Sequence, residues 1–165
     1  MRFRLRQRFP APLAAVEEAI VDPGFLRRMG EIPELGSPQL LERRVEDHLV
    51  HHRVRYRFSG QLSAAVTSVV DPARLSWVEE VTLDRRTHRG QHRIVPDHYG
   101  DRLRCAYTTQ LQPDAHHGAE RLAEGELEVR FPLVGGKVER AIVSGLVERA
   151  ELEAATLSRW LQERG

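Results

Sequence analysis

The segment that most constrains this chain is its last. From about Gly136 to Glu163, Val143, Val147, Ala150, Ala154, Leu157 and Leu161 recur at steps of four and three, and Val138, Ile142 and Leu146 widen that stripe in the first half. The spacing predicts one unbroken amphipathic helix. At 1.5 Å per residue such a helix is about 40 Å long, so its apolar side needs an equally extended partner. Nothing else in the sequence reads as a long helix, and that partner must be a sheet.

The rest of the chain supplies one. Arg2 to Phe9 sets Phe3, Leu5, Gln7 and Phe9 on one face and four arginines on the other. Val50, His52, Val54, Tyr56 and Phe58 share a face in the same way, after a polar turn at Glu46-Asp47-His48 that joins them to a less regular strand from Pro38. Four more strands follow over Leu75–Leu83, Thr87–Val95, Leu103–Leu111 and Arg121–Phe131, separated by "DRR", "PDHYGD" and "PDAHHG". Gly60 to Val70 fits either a short helix or an irregular strand. After the first strand, Leu13, Val16, Ala19 and Ile20 predict a helix of two to three turns ending at Asp22-Pro23, and Phe25, Leu26 and Met29 a second short one. The implied fold is α+β: a curved seven-stranded antiparallel sheet wrapped around a long C-terminal helix, with two short helices after strand one. No composition break divides the chain, so a single domain over 1–165 is expected.

Composition excludes several function classes. Cys105 is the only cysteine, so no internal disulfide is possible and a reduced, cytoplasmic setting is expected. The N-terminus "MRFRLRQRF" has no apolar core of a signal peptide, and no apolar run approaches the roughly 18 residues of a membrane span. Lys137 is the only lysine, and Arg2, Arg4, Arg6, Arg8, Arg53, Arg55 and Arg57 form basic stripes. With a formal net charge of +1 these read as the solvated face of a half-buried sheet rather than a nucleic-acid surface.

The element order, together with "FPAPLAAVEEAIVDPGF" and "FPLVGGKVERAI", resembles the START-like helix-grip superfamily, also called SRPBCC or polyketide cyclase-like, along the whole chain. Ala11-Pro12 with Val16, Asp22-Pro23 through Phe25, Pro132 to Gly136 with Glu139, and Trp160-Leu161 most resemble an uncharacterised actinobacterial domain-of-unknown-function family within it. The resemblance implies a cavity between sheet and long helix, closed at one end by the two short helices, and ligands that are lipids, sterols, polyketides or other apolar molecules. It implies an enzyme in a minority of cases, because fold alone does not choose the chemistry.

No metal site or cofactor is expected. His51 and His52 point to opposite faces of one strand, and His88 and His92 share a face without a partner set at zinc spacing. Cys105 sits on an interior face, where desolvation makes a thiolate unfavourable. "LVGGKVE" lacks the spacing of a phosphate loop, and its glycines give room to turn into the helix.

The informative residues are polar ones on interior faces: Gln7, His52, Tyr56, Tyr107 and Thr109, with Glu79 sharing the face of Trp77, Val81 and Leu83. Each alone reads as a satisfied core group. As a set, with Phe58, Trp77, Leu127 and Ile142 as apolar walls, they fit a small-molecule site. Phe25 and Met29 on a weakly docked helical lid, facing Gly135 and Gly136, are the expected entrance. Three functions follow: a binding protein for a small apolar or amphipathic molecule, a cyclase or dehydratase with His52 as base and Tyr56 or Tyr107 polarising a carbonyl, or an interaction module with a collapsed cavity.

Overall fold

The period-two runs fold as seven strands: β1 (Arg2–Phe9), β2 (Gln39–Glu46), β3 (Leu49–Arg57), β4 (Ser76–Asp84), β5 (Arg89–Pro96), β6 (Leu103–Pro113) and β7 (Ala119–Val129). The computed structural model describes residues 1–165. Its strands form one antiparallel sheet in the order β1-β7-β6-β5-β4-β3-β2. From β2 onward each strand pairs with the next, and β1 returns to pair with β7, setting Gln7 opposite Arg121. Asp47, with φ of 55°, makes the tight turn between β2 and β3 at the predicted place.

Four helices accompany the sheet: α1 (Leu13–Val21), α2 (Pro23–Gly30), α3 (Ala64–Thr67) and α4 (Gly135–Arg164). Asp22 ends α1 and caps α2, accepting a 2.6 Å hydrogen bond from the Gly24 amide while Pro23 fills the first helical position. The ambiguous stretch after Gly60 resolves into the single turn of α3, which buries Val66. Gly135 starts α4 where a side chain would meet the Val129 carbonyl at 2.6 Å, so close approach explains this glycine. The left-handed turn just before it falls on Leu133, with φ of 68°.

The core is split. One apolar cluster gathers Phe9, Val16, Phe25, Leu35 and Leu157 around α1, α2 and the C-terminal half of α4. The other gathers Phe3, Val66, Leu127, Phe131 and Val138 around the N-terminal half of α4. Between them α4 crosses the sheet through a polar waist.

Two expectations need correction. The short helices are not thinly apolar, because Val16, Ala19, Phe25, Leu26 and Met29 supply five of the twelve buried residues of the first cluster. The apolar stripe of α4 is also rotated from its expected centre. Val147 is 38% exposed, and the side facing the sheet runs through Ile142, Leu146, Arg149, Glu153 and Leu157. Two charged residues on the inward face pulled the pattern toward Val143 and Val147.

Candidate functional site

Glu79 lies in the middle of β4 on the inward face and is 3% exposed. A buried carboxylate is tolerated only when its charge is met and its lone pairs are filled. Here His92 of β5 reaches one oxygen through Nδ1 at 2.9 Å, the Tyr107 hydroxyl of β6 donates to that same oxygen, and Arg149 of α4 donates to the other at 3.4 Å. Burial by itself would push the Glu79 carboxyl up. The His92 hydrogen bond and the Arg149 charge outweigh it and hold the group far below the ordinary carboxylate range. Glu79 is therefore ionised at neutral pH. Burial, with the negative charge of Glu79 beside it, keeps the Tyr107 phenol well above its usual value, so Tyr107 stays a donor.

His92 continues the chain of contacts. Ionised Glu79 only accepts, so Nδ1 carries the hydrogen, and in the neutral ring Nε2 accepts from the Thr109 hydroxyl at 3.1 Å. The ring stacks on Tyr107 with centroids 4.2 Å apart. Gly90, opposite Thr109 in the sheet, makes the pair possible. A Cβ at Gly90 would collide with Thr109 Oγ1 and lie 2.8 Å from His92 Nε2. The result is a buried hydroxyl–imidazole–carboxylate chain, a geometry able to move or hold a proton.

A second ionic group sits one helical turn further along α4. Glu153 pairs with Arg121 of β7 at 3.0 Å, and Arg121 donates to Gln7 Oε1 at 2.6 Å. Gln7 in turn donates to the Ala150 carbonyl at 2.7 Å. The Arg149 guanidinium covers the Tyr56 ring, 3.9 Å from its centroid, and Tyr56 stacks on Trp77 with centroids 6.1 Å apart.

Three small chambers lie against the inward face of the sheet, two of them bordered by α4. The middle one, about 100 Å³, is polar and is bounded by Gln7, His52, Tyr56, Glu79, Thr109 and Arg149 among others. An apolar chamber of about 70 Å³ lies under Phe58, Trp77, Ile94, Leu127 and Ile142. Tyr107, Leu146 and Arg149 border both and form the partition between them. A third, about 40 Å³, lies toward α1, beyond His52, His92 and Arg121. The apolar chamber also touches Ser59, Gly60, Pro96 and His98, which places its outer end between the segment after β3 and the segment after β5.

Two buried nitrogens in these walls have no partner, His52 Nε2 and Trp77 Nε1. Burial, helped by the charge of Arg43, pulls the His52 imidazole down to about 4, so it is neutral at pH 7. Burial pushes the Cys105 thiol up to about 12, with Glu79 adding to it, in keeping with an unreactive cysteine.

All ten residues expected to bind a ligand border these chambers. Of the expected entrance residues, Met29 borders the polar chamber, Phe25 is fully buried against Trp160, and Gly135 and Gly136 line none of the three. Sequence reasoning missed Arg121, Arg149 and Glu153, and set His92 aside after testing it only as a metal ligand. A signal was present: Leu146, Arg149, Ala150, Glu153 and Leu157 fall at helical spacing, and a charged pair four apart on that line is unusual on a buried face.

The likeness to solved structures extends over the whole fold. The chain superposes on the Zhui aromatase/cyclase from Streptomyces sp. R1128 with a TM-score of 0.64 at 14% identity, covering 99% of this chain and 94% of that one. On norcoclaurine synthase from Thalictrum flavum the TM-score is 0.65 at 14% identity, over 99% and 87% of the two chains. On the protein TTHA0849 from Thermus thermophilus it is 0.64 at 18% identity, over 100% and 99%. No curated protein matches the chain. The family described as a protein of unknown function, DUF2505, matches residues 4–161. The chain belongs to the DUF2505 family and carries the helix-grip fold of the START-like, polyketide cyclase-like superfamily.

Proposed function

We propose that this protein binds a small apolar or amphipathic molecule between the sheet and α4, as a cytoplasmic carrier or sensor folded as one domain. One observation carries the reading. An apolar chamber walled by Phe58, Trp77, Leu127 and Ile142 ends on a buried cluster of Arg149, Glu79 and Tyr107, beside two nitrogens left without partners. An unfilled buried donor costs about 1 to 3 kcal/mol, which a ligand atom would recover. Each 100 Å² of apolar ligand surface removed from water would add about 2.5 kcal/mol before the costs of association. The similar fold of an aromatase/cyclase and of norcoclaurine synthase supports a reading in which this interior takes a small molecule. Native mass spectrometry and solvent extraction of the purified protein test the reading. A co-purifying metabolite, or saturable binding of an apolar probe, is expected; the absence of both removes it.

The Thr109–His92–Glu79 chain favours a second reading, an enzyme of the cyclase or dehydratase kind. In that reading His92, oriented by a carboxylate, takes the role first expected of His52. Turnover of an identified substrate would be abolished in His92→Gln and retained in His52→Gln; the reverse pattern would remove His92 from the role.

A further inference from the structure

The two edges of the sheet are finished differently. β1 packs against α4, and its inward residues Phe3, Gln7 and Phe9 are all buried. β2 has no such cover, and Leu40 is its only residue that is not exposed. Its ladder runs to β3 alone, and no other backbone hydrogen bond of the fold reaches Glu42 to Glu46. The outer edge of β2 is therefore a row of unpaired N–H and C=O groups, a template for another strand.

The side chains decide which strand fits. Leu40 pairs with Val54 and Glu42 with Arg53, so Leu41 is the extra residue of a bulge and the regular stretch is Leu41 to Glu46. Val45 lies opposite the buried Val50, which puts Leu41, Arg43 and Val45 on the inward side and Glu42, Arg44 and Glu46 on the outer side. Leu41 and Val45 are 40% and 50% exposed, apolar side chains on a strand that carries charges everywhere else in this stretch. Such a pairing of one apolar side with one charged side suits a partner of the same design.

Two copies meeting antiparallel at this edge are related by a two-fold axis normal to the sheet. Opposed residues then lie on the same side, so the axis passes through a residue of β2. Within the regular stretch, an axis at Arg43 engages Leu41 to Val45 of each copy and one at Arg44 engages Glu42 to Glu46; every other choice engages a shorter run. The axis at Arg44 sets Glu42 against Glu46 and Arg44 against itself. The axis at Arg43 sets Glu42 against Arg44 twice on the outer side and Leu41 against Val45 twice on the inward side. Arg43 meets its own copy there, but its guanidinium is turned aside, with Nε donating to the Val21 carbonyl of its own chain at 3.2 Å. Glu42 and Arg44 already touch Arg53 at 3.5 Å and Glu46 at 3.0 Å, and both remain more than half exposed, so each can take a second partner.

We propose that two copies of this chain join through β2, antiparallel about Arg43, into one continuous sheet. The chambers take no part in this contact, so the association stands apart from the binding reading. Five opposed residues on each side make a small interface of the readily dissociating class.

Sedimentation equilibrium of the full chain at pH 7, from about 10 μM to about 500 μM, tests the proposal. The weight-average mass is expected to rise with concentration from 18.9 kDa toward twice that value. Glu42→Arg and Arg44→Glu each put like charges in both outer pairs, and each alone should weaken the dimer by about ten-fold or more. Mixed in equal amounts, the two variants again oppose unlike charges at every outer pair, so the mixture should associate about as well as the natural chain. Val45→Lys, which places a charge opposite Leu41 on the inward side, should also lose the dimer and serves if either charge variant fails to fold. A natural chain that stays monomeric throughout would overturn the proposal and leave the edge to a strand of another protein. A dimer that survives in both single variants, or is lost in only one of them, uses another surface or register and would overturn it as well. So would a mixture that stays monomeric although both variants are folded.

Discussion

His52 shows how a single buried group makes this protein sensitive to acid. Its imidazole ordinarily titrates near 6.5 and is pulled down to about 4 in the fold, chiefly by burial. In that interval the unfolded chain binds a proton that the folded chain does not, so stability falls as pH falls from 6.5 and levels off below 4. Between pH 6.5 and 5 the loss is about 2 kcal/mol. Urea denaturation at the two pH values should show it, and His52→Asn should remove most of it. Glu79 and Glu153 are held below their ordinary values and act in the same direction at lower pH: their stabilisation is complete above about 4.5 and is lost as pH falls through the lowered values. Gly90 carries a second residue-scale prediction. A methyl group there has no space beside Thr109 and His92, so Gly90→Ala should destabilise by about 1 to 3 kcal/mol. Gly100, whose Cβ would have no atom nearer than 4.0 Å, is the control and should tolerate alanine within about 0.5 kcal/mol.

At the scale of elements, α4 is fixed on the sheet by apolar contacts at both ends and by two crossed ion pairs at the waist. Removing one partner strands the other, so Arg149→Met alone should cost about 3 to 5 kcal/mol. Adding Glu79→Gln to Arg149→Met should cost less than the sum of the two single changes, which a double-mutant cycle in urea will measure. The same waist explains what the sequence hid. Strand faces were legible because alternation is strict on β1, β3, β6 and β7, where Gln7, His52, Tyr107 and Thr109 fall inward at apolar positions. The helix face was not, because charged residues read as solvent-facing, and only the tertiary pairing with Glu79 and Arg121 brings Arg149 and Glu153 inside. The short helices carry more buried apolar residues than their spacing suggested. Val16 and Phe25 are fully buried, so α1 and α2 are held by the core, and the weakly held backbone lies instead beside the apolar chamber at Ser59 to Ser63, which has no helix or strand. Amide hydrogen exchange should therefore be slow across Val16 to Met29 and fast across Ser59 to Ser63; the reverse order would restore the helical lid.

The whole molecule keeps its two sheet faces chemically apart. Outside, arginines are interleaved with carboxylates, and four of the seven stripe arginines are paired across strands: Arg4 with Glu124 at 2.7 Å, Arg6 with Glu120 at 3.6 Å, Arg53 with Glu42 at 3.5 Å and Arg55 with Asp97 at 3.1 Å. No helix is long and apolar enough to cross a membrane. Inside, apolar clusters at both ends of α4 enclose a polar region between sheet and helix that is charge-matched, with the unpartnered ring nitrogens of His52 and Trp77 in the surrounding walls. Whether this interior binds a ligand can be measured directly through the two tryptophans. Trp77 borders the apolar chamber, whereas Trp160 packs on Phe25 outside all three chambers. In a ¹⁵N-labelled sample titrated with 2-acetylnaphthalene, the Trp77 indole N–H resonance is expected to shift to saturation while that of Trp160 stays in place. No shift at Trp77 up to the solubility limit of the probe, or a shift at Trp160 alone, would contradict it.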